Sequence, residues 1–222
     1  MTKLKAVIHL DLFTVKPYMK SIVFLFAFGL FLNLSFTNAS TSIYMYAMYV
    51  MLILSYPFAV GEQNSLDTLY ASLSLKRREI VQGRYLLSVA AYFCVSLMAF
   101  ATSIISIAMK KEVAWNEFLF SVSVCFIVFS FFASVQLPIY FKMGYSKGKI
   151  LAMLPIILIS AGFIASGMFI KDGSDLNAST DALFQLITAN LALWFLGCAA
   201  TGALILIISC FISIRFYEKR EF

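Results

Sequence analysis

Five stretches free of Asp, Glu, Lys, Arg and His, at 21–61, 85–109, 118–141, 150–170 and 182–214, decide what this chain can fold into. Each is long enough for a helix to cross about 30 Å of hydrocarbon, which takes about 18–20 apolar residues. With 62% hydrophobic and only 13% charged residues, the chain lies well above the roughly 45–50% apolar usage of soluble domains. The charges collect between the apolar runs instead of alternating with them. These observations specify an all-α integral membrane protein.

The run 21–61 exceeds one crossing and holds a polar, turn-prone cluster, Asn33–Ser42 (NLSFTNASTS), which divides it into spans at 19–36 and 43–60. Further spans are expected at 85–109, 118–141, 150–170 and 187–214, making six, with a short interfacial turn before the last. Residues 3–16 place Leu4, Val7, Ile8, Leu12 and Val15 on one helical stripe, with Lys5, His9 and Lys16 mostly off it. That pattern describes an amphipathic helix over 1–17 lying in the membrane interface, ended by Pro17. The apolar segment after it reads as a retained first span, because its preceding twenty residues are unlike a short basic leader. The whole chain is one transmembrane domain.

Lysine and arginine counts orient it. Six spans put the N-terminus, the 62–84 insert, the 142–149 loop and the tail on one face, with fourteen of the 17 basic residues. The opposite face keeps Lys110, Lys111 and Lys171 beside a larger number of acids. The positive-inside rule then makes both termini cytoplasmic. Basic flanks of this kind meet anionic lipid headgroups and not nucleic acid.

Several chemistries are missing. The cysteines Cys94, Cys125, Cys198 and Cys210 lie singly in apolar runs, with no CxxC or metal-ligand spacing, and read as small buried hydrophobes. The chain has no HExxH, no GxSxG, no pair of membrane aspartates and no GxxxxGK[ST], so it neither presents an intramembrane enzyme nor binds ATP through a P-loop. The expected span cores lack ionisable groups, which disfavours an ion-coupled transporter without excluding one that uses backbone carbonyls. A non-transporting scaffold or sensor subunit also stays open. Gly162–Gly167 and Gly197–Gly202 bring small residues to helical spacing for close helix contact.

The 62–84 insert is the polar island in this apolar chain. Leu66, Leu69, Tyr70 and Leu73 recur at i, i+3, i+4 and i+7 between Asp67 and the cations Lys76, Arg77 and Arg78. An apolar helical face with a charged rim suits a groove in a protein partner, or a lipid interface. Glu62, a lone carboxylate at the membrane edge, calls for a partner, either Arg84 or a helix N-terminus.

The chain resembles ABC-2 type permease subunits, near the short six-span bacterial branch found in peptide-export and antimicrobial-resistance systems. The resemblance rests on Tyr56-Pro-Phe and Glu62, on Leu66-Asp-Thr-Leu-Tyr-Ala-Ser-Leu73, and on Lys76-Arg-Arg-Glu-Ile-Val-Gln-Gly-Arg-Tyr85. Pro138 and Tyr140-Phe-Lys-Met-Gly-Tyr-Ser-Lys-Gly-Lys149 are similar to the family's second cytoplasmic loop. Ser74 departs from the pattern, standing where the family commonly has proline. The resemblance implies an ABC-2 exporter fold in the bacterial plasma membrane. It implies no enzymatic activity and no directly bound cofactor, ATP-Mg entering only through a separate ATPase. Two ATPase copies and a second permease copy or paralogue complete the implied complex. Leu66, Asp67, Leu69, Tyr70, Leu73, Lys76, Arg77 and Arg78 would form the coupling helix that docks on the ATPase, with Glu62 and Arg84 bracing it at the membrane edge. The implied cargo is an amphipathic peptide, antimicrobial or lipid-like molecule.

Overall fold

The computed structural model describes residues 10–12, 19–35, 41–64, 76–109, 115–155, 157 and 190–219. Among these, secondary structure is helical throughout. We label the helices α1 (Met19–Ser35), α2 (Thr41–Ile53), α3 (Tyr56–Gln63), α4 (Arg77–Ala108), α5 (Trp115–Met143) and α6 (Leu191–Glu218). Short helical stretches also cover 10–12 and 145–155. Among the described residues, four segments are long and apolar enough to cross a membrane: Ile43–Gln63, Arg77–Ala108, Trp115–Met143 and Leu191–Glu218. The expected fifth span lies mostly outside the described residues, as do the polar cluster around Asn38 and the Gly162–Gly167 motif.

Helices α2 and α3 form one interrupted span. The chain turns at Leu54 and Ser55, where the Ser55 hydroxyl donates to the Leu52 carbonyl at 2.7 Å. Pro57 then falls in the first turn of α3, where its missing N–H removes no helical bond. Helix α4 runs well past its uncharged run and begins at Arg77. Its 32 residues measure about 48 Å, so roughly a third extends beyond a 30 Å core. The extension is capped where the Glu79 carboxylate accepts from the Lys76 N–H at 3.0 Å. Arg84 therefore sits about two turns inside α4, just ahead of the expected start of the span at Tyr85.

Packing is tightest between α5 and α6. A Cβ on Gly202 would come within 2.7 Å of the Phe126 ring and 2.9 Å of the Ser130 hydroxyl, so the two helices approach where only a hydrogen fits. Gly197 faces open space instead. Gly29 plays the close-contact role between α1 and α2, pressed against the buried Tyr46 ring, whose hydroxyl donates to the Phe26 carbonyl at 3.3 Å. Cys125 and Cys198 are buried as expected, whereas Cys94 is exposed on the flank of α4.

Pro138 lies inside α5 and deprives the Ser134 carbonyl of its helical donor. In hydrocarbon that carbonyl needs a replacement, and the Ser209 hydroxyl of α6 donates to it at 2.9 Å. One proton per hydroxyl then fixes the rest of the network. Tyr85 of α4 donates to Ser209 at 2.6 Å, and Ser213 donates to Tyr85 at 2.8 Å. Three helices are thereby stitched together at the proline defect. Ser209→Ala orphans the carbonyl and should lower stability by about 1–3 kcal/mol. Denaturant unfolding of the purified permease in micelles checks this; an unchanged midpoint would show that the network is idle.

Candidate coupling site at the basic end of the bundle

The ends of α3, α4, α5 and α6 converge where the basic residues cluster. Gly144 makes this possible. Its φ of 78° is favoured only by glycine, and its N–H caps α5 by donating to the Tyr140 carbonyl at 2.9 Å. The chain then re-enters a helix at once, with the Gly148 N–H bonding the Gly144 carbonyl at 3.1 Å.

Glu62, at the end of α3, caps that new helix. Its Oε2 accepts the N–H groups of Tyr145 at 2.7 Å and Ser146 at 3.0 Å. These amides are orphan donors at a positive helix end, where a carboxylate is favoured. One of the two partners that the sequence allowed for Glu62, a helix N-terminus, is thus in place.

Arg84 pairs with Asp11. Its Nε lies 3.6 Å from Asp11 Oδ2, and both groups are buried. The guanidinium stacks over Phe58 at 4.2 Å and lies 5.7 Å from the centre of the Phe141 ring. Aromatic faces on α3 and α5 thus hold the cation of α4, while its counter-charge comes from the N-terminal stretch. Glu62, Arg84 and Tyr140 line one small notch of about 30 Å³ together with Gly144 and Tyr217.

Arg77 and Arg78 lead to the last helix. Arg77 Nη1 donates to the carbonyls of Tyr217 at 2.9 Å and Glu218 at 2.8 Å, taking two acceptors that the end of α6 leaves open. Arg78 Nε bonds Glu218 Oε1 at 2.7 Å across an exposed surface, a pair worth little by itself. Lys142 lies 5.1 Å over the Phe216 ring. Lys76 is exposed at the start of α4. Leu66, Asp67, Leu69, Tyr70 and Leu73 lie outside the described residues.

The sequence reading gave no role to Asp11 or Tyr217, and it took Phe58 and Phe141 only as part of the family-like motifs. A physical signal existed for Asp11, since it falls on the apolar stripe of the N-terminal segment, three residues after Ile8 and four after Val7. An acid on the buried face of an amphipathic helix asks for a cation. No group of three or more His, Cys, Asp or Glu side chains able to hold a metal occurs among the described residues.

Comparison with curated proteins and with solved structures returns no match. The family profile described as ABC-2 family transporter protein matches residues 6–218, nearly the whole chain. With apolar spanning helices and a basic end, the chain belongs to the ABC-2 transporter family and is a multi-pass membrane permease, a transport component and not a catalytic enzyme, whose family works with an ABC ATPase.

Proposed function

We propose that this permease is the membrane half of an ATP-driven exporter for an amphipathic peptide, antimicrobial or lipid-like cargo, with the 62–84 segment as its coupling element. In this reading both termini and the basic end face the bacterial cytoplasm. Leu66, Leu69, Tyr70 and Leu73 anchor in a groove of the ATPase, and Asp67, Lys76, Arg77 and Arg78 form the charged rim. Two ATPase copies act on two permeases, identical or paralogous.

The observation that supports this most is the pair of hydrogen bonds from Arg77 to the Tyr217 and Glu218 carbonyls. They join the far end of the coupling segment to the last helix, while Glu62 at its near end caps the helix after Gly144. A push on the segment would therefore reach α3, α4, α6 and the helix at 145–155 together. ATP binding draws the ATPases together, and the segment passes that movement to the spans.

Inverted membrane vesicles holding permease and ATPase should take up a fluorescent amphipathic peptide when ATP is supplied. Vesicles with the permease alone should not respond to a proton or sodium gradient. Gradient-driven uptake without the ATPase would replace this reading with a secondary transporter. Uptake absent under both conditions, with no stimulation of ATP hydrolysis by any cargo, would point to a scaffold or sensor.

A further inference from the structure

A groove of about 390 Å³ runs between the α2–α3 span and α4. Leu87, Ala91, Cys94 and Met98 give it a stripe of α4 at helical spacing, and Val50, Leu54 and Pro57 supply the facing wall. Leu25 of α1 and Leu137 of α5 complete it in depth. Arg84, held by Asp11, and the half-exposed Leu12 mark one end.

We infer that this groove is a binding site for a single acyl chain of a membrane phospholipid, with the headgroup at the Arg84 end and the methyl terminus near Met98. Five observations select that occupant. The volume falls in the range of about 300–1,000 Å³ typical of small-ligand sites. The stripe from Arg84 to Met98 is about 21 Å long at helical rise, enough for a chain that traverses one leaflet of about 15 Å. The walls offer water almost nothing to bond, because the Ser88 hydroxyl is already spent on the Tyr85 carbonyl at 2.7 Å. Cys94, which lines the groove, is exposed on a helix long and apolar enough to cross the bilayer, which gives hydrocarbon a direct way in. The basic flank beside Arg84 is where phosphate-bearing headgroups gather.

The site holds its chain irrespective of cargo or transport direction. Full-length permease in phospholipid nanodiscs can be photolabelled with phosphatidylglycerol bearing a diazirine either near the acyl carbonyl or near the chain terminus. The carbonyl-proximal probe should label the 84–88 end of the stripe, and the terminal probe the 94–98 end. Ala91→Phe should cut labelling of this stripe about tenfold, the occupancy change expected from losing the burial of about two methylenes, while labelling around Leu193 and Leu196 on α6 stays unchanged. Labelling of the stripe that ignores probe depth, or that is no stronger than on α6, would overturn the assignment. So would a Cys94–Cys94 cross-linked permease dimer with no lipid adduct, which would put a second copy of the chain there. The depth comparison uses the unaltered protein and so stands even if Ala91→Phe fails to fold.

Discussion

Arg84→Met is expected to destabilise the folded permease by about 3–5 kcal/mol, the cost of leaving one member of a buried ion pair without the other. Asp11 is 0% and Arg84 7% exposed, so neither charge is rescued by water once its partner is gone. Methionine retains an unbranched apolar stem between Phe58 and Phe141 but gives up the cation that those rings flank. The loss should show as a lowered midpoint when purified permease is unfolded by denaturant in micelles, followed by the fluorescence of its two tryptophans. Adding Asp11→Asn to Arg84→Met removes the stranded charge and should recover a large part of the loss. The interaction energy from that double-mutant cycle measures the pair itself. An Arg84→Met protein that unfolds at the native midpoint would mean that Asp11 and Arg84 are not coupled in the membrane-embedded protein.

The same pair explains where sequence reading stops. Uncharged runs made the membrane class and the helices legible, because a backbone in hydrocarbon has few ways to satisfy its amides. Charges also end those runs, however, and Arg84 made the α4 run appear to start at Tyr85. The helix continues to Arg77 because Arg84 is neutralised by Asp11 and covered by Phe58 and Phe141, contacts supplied by segments distant in sequence. Local pattern marks Asp11 as an acid in need of a cation, but it points neither to Arg84 nor to the two rings.

Pro138 gives a similar lesson. A proline in an apolar run warns of a kink, but its consequence depends on whether something accepts the freed carbonyl's demand for a donor. Ser209 does so from more than seventy positions away. Glu62 was easier to read because the physics is local in kind: a carboxylate at a membrane edge needs either a cation or a helix N-terminus. Sequence narrowed the choice to two, and the turn at Gly144 supplied the helix end.

Leu69→Asp is expected to abolish co-purification of the ATPase while leaving the permease inserted and folded. Leu66, Leu69, Tyr70 and Leu73 fall on one face at helical spacing, and Leu69 is central to it. In the proposed docking groove, a buried carboxylate would be a stranded charge where water is excluded. Disrupting a central anchor costs at least about 2 kcal/mol, or about thirtyfold in affinity. Arg78→Ala, by contrast, removes a rim cation whose exposed partner is Glu218, and should weaken the complex only slightly. The contrast between the two variants carries the test. An interfacial segment resting on lipid would also suffer from Leu69→Asp, but only by lifting off the bilayer, and the ATPase would still be recovered in full. Pull-down of tagged permease from the same membranes, with Trp fluorescence as the check on folding, separates the outcomes. Full ATPase recovery with Leu69→Asp removes the docking role from this face and leaves Arg77 joining the start of α4 to α6 for purely structural reasons.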